Sequence, residues 1–291
     1  MMWRTWIWRH FEITLPSDWE MLQYTRNPET GRCAFADRYA FRLEMSWRAV
    51  AGPPDYDRML NDYAARLKLE GHQDVRPIRR ANWRGVAGAK GRTVFSRYGA
   101  FFDTESCVVE LVFIWPGSPP DPALEKTVLR AFRECAPDAA GRRRWRAFGM
   151  DARVSGDLQL AHCRVAPGEA EWRFEDAKRR CWTRCRRIGL RALWLKQDLG
   201  AWLAAQAPRL QSGHTETHTR DGCVVWGWSG RARRGLLEQL VRGARDYWAE
   251  AWTDPADDRV YVREIYGPPA FVEAEARGGA LSRVEETETV P

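Results

Sequence analysis

Lys178–Leu195 reads KRRCWTRCRRIGLRALWL, and whether it is a strand or a helix decides how the second half of the chain folds. As a strand over Arg179–Arg187 it places Arg180, Trp182, Arg184 and Arg186 on one face and Cys181, Thr183 and Cys185 on the other. As a helix it gives a stripe of Phe174, Ala177, Cys181, Cys185, Ile188, Ala192 and Leu195. An internal comparison favours the strand. At a constant offset of 139 residues, Asp18 meets Asp157, Pro28 meets Pro167, Phe35 meets Phe174, Asp37 meets Asp176 and Arg48 meets Arg187. The stretch then matches Ala40–Arg48, which alternates as a strand with Phe41, Leu43, Met45 and Trp47 on one face.

Working outward, the first half alternates strands with two helices. Phe11–Leu15, Trp19–Tyr24, Arg32–Asp37 and Phe41–Trp47 have strand periodicity, broken at Asn27-Pro28-Glu29-Thr30-Gly31. Asp55 is placed to cap a helix carrying Met59, Leu60, Tyr63 and Leu67. Cys107–Trp115 is the most apolar strand, and a second helix over Asp121–Cys135 buries Leu124, Val128, Leu129 and Phe132. The reading is α+β: two tandem, mainly antiparallel domains over 1–138 and 145–267, each with helices packed on one face. The glutamate-rich segment 268–291 reads as a flexible acidic tail.

The runs Leu15–Glu20 (LPSDWE), Asp37–Trp47, Asp55–Leu69, Trp83-Arg84-Gly85 and Val108–Phe132 resemble the PsbP/Mog1/DcrB-like α+β sandwich. That resemblance covers most of 11–135 and loosely 145–267. It implies a binding or assembly factor and brings no catalytic residues with it.

The chain of 291 residues carries 46 basic and 39 acidic residues, and the charge is uneven. Residues 1–140 hold +2, 141–250 hold +10 and 251–291 hold −5, which together make the net +7. Only five of the basic residues are lysine, and the arginine bias runs through parts with no cluster, so arginine number alone does not mark a nucleic-acid binder. Sixteen tryptophans lie between Trp3 and Trp252, spread rather than tracted. Seven cysteines at irregular spacing speak against a secreted disulfide framework. The opening MMWRTWIWRHFEI lacks a signal-peptide core and no stretch reaches membrane-span length, which predicts a cytoplasmic protein.

The sequence offers four kinds of candidate site. Arg180, Arg184 and Arg186 with Trp182, extended by Arg142–Arg144 and by Arg231, Arg233 and Arg234, form a candidate phosphate or nucleic-acid surface. The competing reading is a solvated face, or pairing with Glu285, Glu286 and Glu288. Cys181-x3-Cys185 with His214-x3-His218 has zinc-ligand spacing, though a helix over Leu193–Ala207 intervenes and buried thiols are the plainer account. No catalytic signature or cofactor motif survives: His162-Cys163 neighbours point apart on a strand, and Gly85–Gly91 lacks the Gly-Lys-Ser/Thr ending of a phosphate loop. Trp3, Trp6 and Trp8 precede the first expected strand and suit a protein interface, or else a cover for the core. The resemblance, together with these candidates, implies a non-enzymatic protein-binding or assembly protein. Phosphate or nucleic-acid binding by the basic second domain is the rival, and metal-dependent activity comes third.

Overall fold

A computed structural model describes residues 2–208, 210–233 and 243–285. The chain divides into a first unit, Met1–Cys135, and a second, Ala136–Val284. Strands take 55% of the described residues and helices 17%. The expected α+β class is thereby corrected: each unit is built mainly of antiparallel sheet and is sandwich-like.

The first unit opens with the hairpin β1 (Trp3–Trp8) and β2 (Phe11–Pro16), and β10 (Arg133–Glu134) pairs with β2. Its large sheet uses β3 (Glu20–Tyr24), β4 (Thr30–Ala36), β5 (Phe41–Ala49), β6 (Gln73–Arg80), β7 (Trp83–Lys90), β8 (Thr93–Phe102) and β9 (Cys107–Pro116). The order is β3-β4-β5-β9-β8-β7-β6, wholly antiparallel. Helix α1 (Tyr56–Leu69) follows β5, and α2 (Pro122–Ala131) follows β9. Asp55 caps α1 by accepting the Arg58 N–H, and Asp121 caps α2 by accepting those of Ala123 and Leu124.

The physical reason for the correction lies at the amino terminus. Trp3, Trp6 and Trp8, expected ahead of the first strand, are themselves β1. The β1–β2 layer covers the apolar face of the large sheet, with Trp6 edge-on to Phe35 at 5.6 Å and Phe11 at 5.8 Å from Phe102. The helices also do not share one face. Helix α2 joins the β2 side through Phe11 and Phe132, whereas α1 packs Leu67 with Val86 and Phe95 on the opposite side.

The second unit has β11 (Arg142–Ala147), β12 (Met150–Ser155) and β20 (Ala280–Arg283) as its small layer, in the order β11-β12-β20. Its large sheet uses β13 (Gln159–Ala166), β14 (Glu169–Asp176), β15 (Cys181–Ile188), β16 (Leu210–Arg220), β17 (Cys223–Ala232), β18 (Asp246–Asp254) and β19 (Arg259–Gly267). Their order, β13-β14-β15-β19-β18-β17-β16, is that of the first unit moved ten strands along the chain. Helices α3 (Arg191–Trp194) and α4 (Leu199–Gln206) lie between β15 and β16, and α5 (Pro269–Gly278) precedes β20. Leu199 and Leu203 of α4 pack on Tyr247, Ala249, Val260 and Val262. The segment expected as a flexible tail thus forms α5 and β20 through Arg283, because Val272 and Leu281 have apolar places to fill.

The 139-residue offset recurs in side-chain geometry. Trp145 lies 5.1 Å from Phe174, as Trp6 does near Phe35. The Asp37 carboxylate accepts the N–H groups of Tyr39 and Ala40, and Asp176 accepts those of Lys178 and Arg179. Each aspartate thereby fixes the turn into the next strand, β5 or β15.

Candidate functional site

Within Lys178–Leu195, Arg191–Trp194 is α3 and Cys181–Ile188 is strand β15, paired in register with β14 and β19. Arg180 stays off it, in a left-handed turn with φ of 52°, and is exposed. Trp182, Arg184 and Arg186 do share a face, as alternation requires. That face is not a free cationic strip. Glu264 of β19, itself 1% exposed, accepts from Arg184 Nε and Nη2 at 2.6 Å each and from Tyr247 Oη at 2.8 Å. Arg186 Nη2 stands 3.2 Å away from the same carboxylate. Burial acts to raise the Glu264 pKa, but the hydrogen bond from Arg184 and the charges of Arg186 and Arg184 outweigh it and hold the group below the usual carboxylate range. The guanidiniums are further covered by rings: Arg184 over Trp182 at 5.8 Å and Arg186 over Trp202 at 5.4 Å. The charge expected to meet phosphate, or the acidic tail, is met by one buried glutamate of the same sheet.

The remaining members of the basic set are dispersed. Arg231 lies on β17 with its Nε 3.3 Å from Asp246. Arg233 is exposed just beyond that strand, and Arg234 lies outside the described residues. Arg142 donates to Glu275 at 2.7 Å, and Arg144 pairs with Asp151 at 2.5 Å.

The cysteines and histidines do not converge. Cys181 and Cys185 are buried on the core face of β15, and burial pushes the Cys185 thiol up to about 12. His214 and His218 are exposed on β16, with β19, β18 and β17 between. Four inter-strand steps amount to about 19 Å, far beyond any shared coordination sphere. Among the described residues, no group of three His, Cys, Asp or Glu side chains is placed to hold a metal ion.

Trp3, Trp6 and Trp8 do not offer an exposed interface. All three are buried; Trp8 Nε1 donates to the Thr25 carbonyl at 3.1 Å, and its ring lies 5.2 Å from Tyr24. They cover the core of the first unit, the alternative reading of their pattern.

Behind β15 the second unit carries buried charge that sequence reasoning missed. Glu250 accepts from Arg220 Nη1 at 3.1 Å and lies 3.2 Å from Arg263 Nε. Arg263 Nη2 donates to the Ala276 carbonyl, and Glu275 accepts from Arg142 and Thr183. These contacts tie α5 to the sheet. The first unit does the equivalent with Glu125 of α2, which accepts from Tyr98 Oη and Trp115 Nε1.

What the second unit leaves open is the edge at β16. Residues 213–220 pair with 223–230 without a register shift, and 213–219 are exposed. Among the described residues nothing pairs with the outer side of this strand. Beside it an open groove of about 860 Å³ runs between α5 and the sheet, floored by Trp248 and Ser229 and walled by Val272 and Ala276. Ser229 stands opposite both His214 of β16 and Trp248 of β18, so the His214 face of β16 is the groove side. The Thr-rich alternation of this segment was legible, but its position at the sheet edge depends on strand order and was not.

No protein-family model matches the chain, and no curated protein does. Two solved structures are similar to it at 11% identity: "Crystal structure of MucB in complex with MucA(peri)", with a TM-score of 0.18, and "The complex structure of Pseudomonas aeruginosa MucA/MucB", with 0.16. Each comparison covers 98% of this chain and 93% of the other. At such scores neither fold nor function is carried across. No helix among the described residues is long and apolar enough to cross a membrane.

Proposed function

We propose that this chain is a non-enzymatic protein-binding or assembly protein that receives an extended segment of its partner along the outer edge of β16. The observation that carries this reading is the contrast between β16 and the other outer strands of the large sheets. Exposed edges are ordinarily blunted by short length, bulges, proline or charge. Strand β3 has five residues and a register shift after Met21. Strand β6 contains Pro77 with Arg76, Arg79 and Arg80 beside it, and is also shifted. Strand β13 is shifted between Leu160 and His162. Strand β16 has its own shift between Leu210 and Gly213, but beyond it 213–220 runs in register for eight residues with no proline or lysine, three threonines suited to a strand, one carboxylate at Glu216 and one arginine already engaged with Glu250.

An added strand would gain main-chain hydrogen bonds from β16 and set alternate side chains toward the groove under α5. The apolar floor and wall at Trp248 and Val272 suit one apolar anchor on that strand. The repeated strand order and the paired Trp–Phe contacts support reading the two units as copies of one ancestor. On that reading the open edge is a feature of the second copy, since its counterpart β6 in the first is guarded.

Proline substitution at neighbouring positions tests this. In an antiparallel pair, alternate residues turn their N–H inward and outward. Of Thr215→Pro and Glu216→Pro, one therefore breaks the β16–β17 ladder and the other removes only an outward donor. A partner captured by the parent chain from native lysate is expected to bind about tenfold or more weakly to the variant that keeps the parent melting temperature. Retention of the partner at parent affinity by that folded variant contradicts the reading.

A further inference from the structure

In the first unit, α1 crosses the outer face of the large sheet and leaves a cleft of about 530 Å³ beneath it. Strand alternation puts Ser46 and Arg48 of β5, Arg97 and Gly99 of β8, and Val108 and Glu110 of β9 on this face. Arg84 of β7 and Asp62, Tyr63 and Arg66 of α1 add to the polar lining. Met59, Leu60, Val86 and Val108 supply an apolar surface alongside it. Both the volume and the mixture suit a small ligand.

The guanidiniums are arranged rather than scattered. Arg97 is held by Glu110, Nη2 to Oε2 at 2.5 Å and Nε to Oε1 at 3.2 Å, and lies 4.3 Å over the Tyr63 ring. Arg66 lies 5.1 Å from the centre of the same ring. Among the described residues, Arg66 and Arg84 reach exposed carboxylates, Glu70 at 3.9 Å and Asp57 at 3.5 Å. Such pairs are weak and easily exchanged. Arg48 is exposed and makes no ion pair among the described residues. Behind the lining, the Tyr56 ring edge lies 3.9 Å from where a Cβ on Gly99 would stand. The lining holds four guanidiniums against the carboxylates of Glu110 and Asp62, leaving two positive charges.

We propose that this cleft binds a small phosphate monoester with an apolar or aromatic body. A monoester carries close to two negative charges near neutral pH and offers three acceptor oxygens. Arginine forks match that geometry. The body would lie on the apolar wall, and the absence of a side chain at Gly99 leaves it room. This site is independent of β16 and of the protein-binding reading.

Calorimetric titration of the full chain with phenyl phosphate at low salt tests the assignment. Saturable one-to-one binding is expected, about tenfold tighter than for inorganic phosphate, which lacks the apolar body. Arg48→Gln removes an exposed group without a structural bond and is expected to weaken binding by about three- to tenfold. Gly99→Val keeps every charge; its Cβ would meet ordinary contacts at 3.8–3.9 Å and its methyl groups would occlude the cleft and abolish binding, with an unchanged melting temperature as the check that the variant folds. Arg231→Gln, in the second unit, should change nothing. The proposal is overturned by an absence of saturable binding, by inorganic phosphate binding as tightly, by unchanged affinity in Arg48→Gln and Gly99→Val, or by equal weakening in Arg231→Gln.

Discussion

Arg184 and Glu264 meet across β15 and β19 through two hydrogen bonds of 2.6 Å, with the carboxylate almost wholly excluded from water. A paired guanidinium–carboxylate fork in such a place is a structural commitment. Removing the carboxylate leaves Arg184 and the buried Arg186 together without their counter-charge.

Glu264→Gln should therefore destabilise the second unit heavily. Removing one partner of a buried pair costs about 3–5 kcal/mol, and here Arg184 and Arg186 both lose their counter-charge. Urea unfolding followed by tryptophan fluorescence checks it; a loss under about 1 kcal/mol, as for a surface pair, would contradict the account.

The same carboxylate sets an acid limit. Its pKa is lower in the folded chain than the ordinary value of about 4.3. Its contribution is thus fully present above that ordinary value and is lost as pH falls through the folded value. Wild-type stability should drop with acidification below about pH 4, and the part of that slope due to this group should be missing in Glu264→Gln. Unfolding free energies measured at stepped pH give both slopes, and identical slopes would contradict the assignment.

Cys185 should be chemically silent in the native protein. Its thiol is fully buried and its pKa is pushed up to about 12, so the thiolate is scarce at neutral pH. Cys223 is partly exposed on β17. Mass-resolved alkylation should label Cys223 under native conditions and Cys185 only after unfolding. Added zinc should leave that pattern unchanged, since three strands separate Cys181 and Cys185 from His214 and His218.

Trp145 and Phe174 should behave as Trp6 and Phe35 do. Each pair joins the small layer to the large sheet of its own unit. Trp145→Ala and Trp6→Ala should each cost about 3–5 kcal/mol by opening a cavity. Thermal or urea denaturation of the two variants checks the equivalence; a near-neutral result at either position would break it.

Much of this could be read from the residues. Alternation at Phe41–Trp47 and Cys107–Trp115, the Asp55 and Asp121 caps, and the 139-residue offset gave strands and helices close to those found. Phe11–Leu15 was legible as a strand, but its partner β1 was missed because Trp3–Trp8 is hydrophobic on both faces and shows no alternation to read. Glu264 was missed for a different reason. In VREIYG it looks like the polar face of an ordinary strand, and its partners lie 80 and 78 residues away on β15. A local pattern cannot reveal that a sheet places it between two arginines. The buried Glu275 likewise sits in a segment whose glutamates read as a solvated tail. Edge position, finally, is a property of strand order, so neither the open side of β16 nor the cleft under α1 had a local signature.

Amide hydrogen exchange, compared between the free chain and the chain bound to its co-purified partner, tests the central claim most directly. Strand addition at β16 predicts that alternate amides within 213–220, fast in the free protein, become protected in the complex, while β6 and β13 stay unchanged. Equal exchange across 213–220 in free and bound protein, with protection elsewhere, would contradict it.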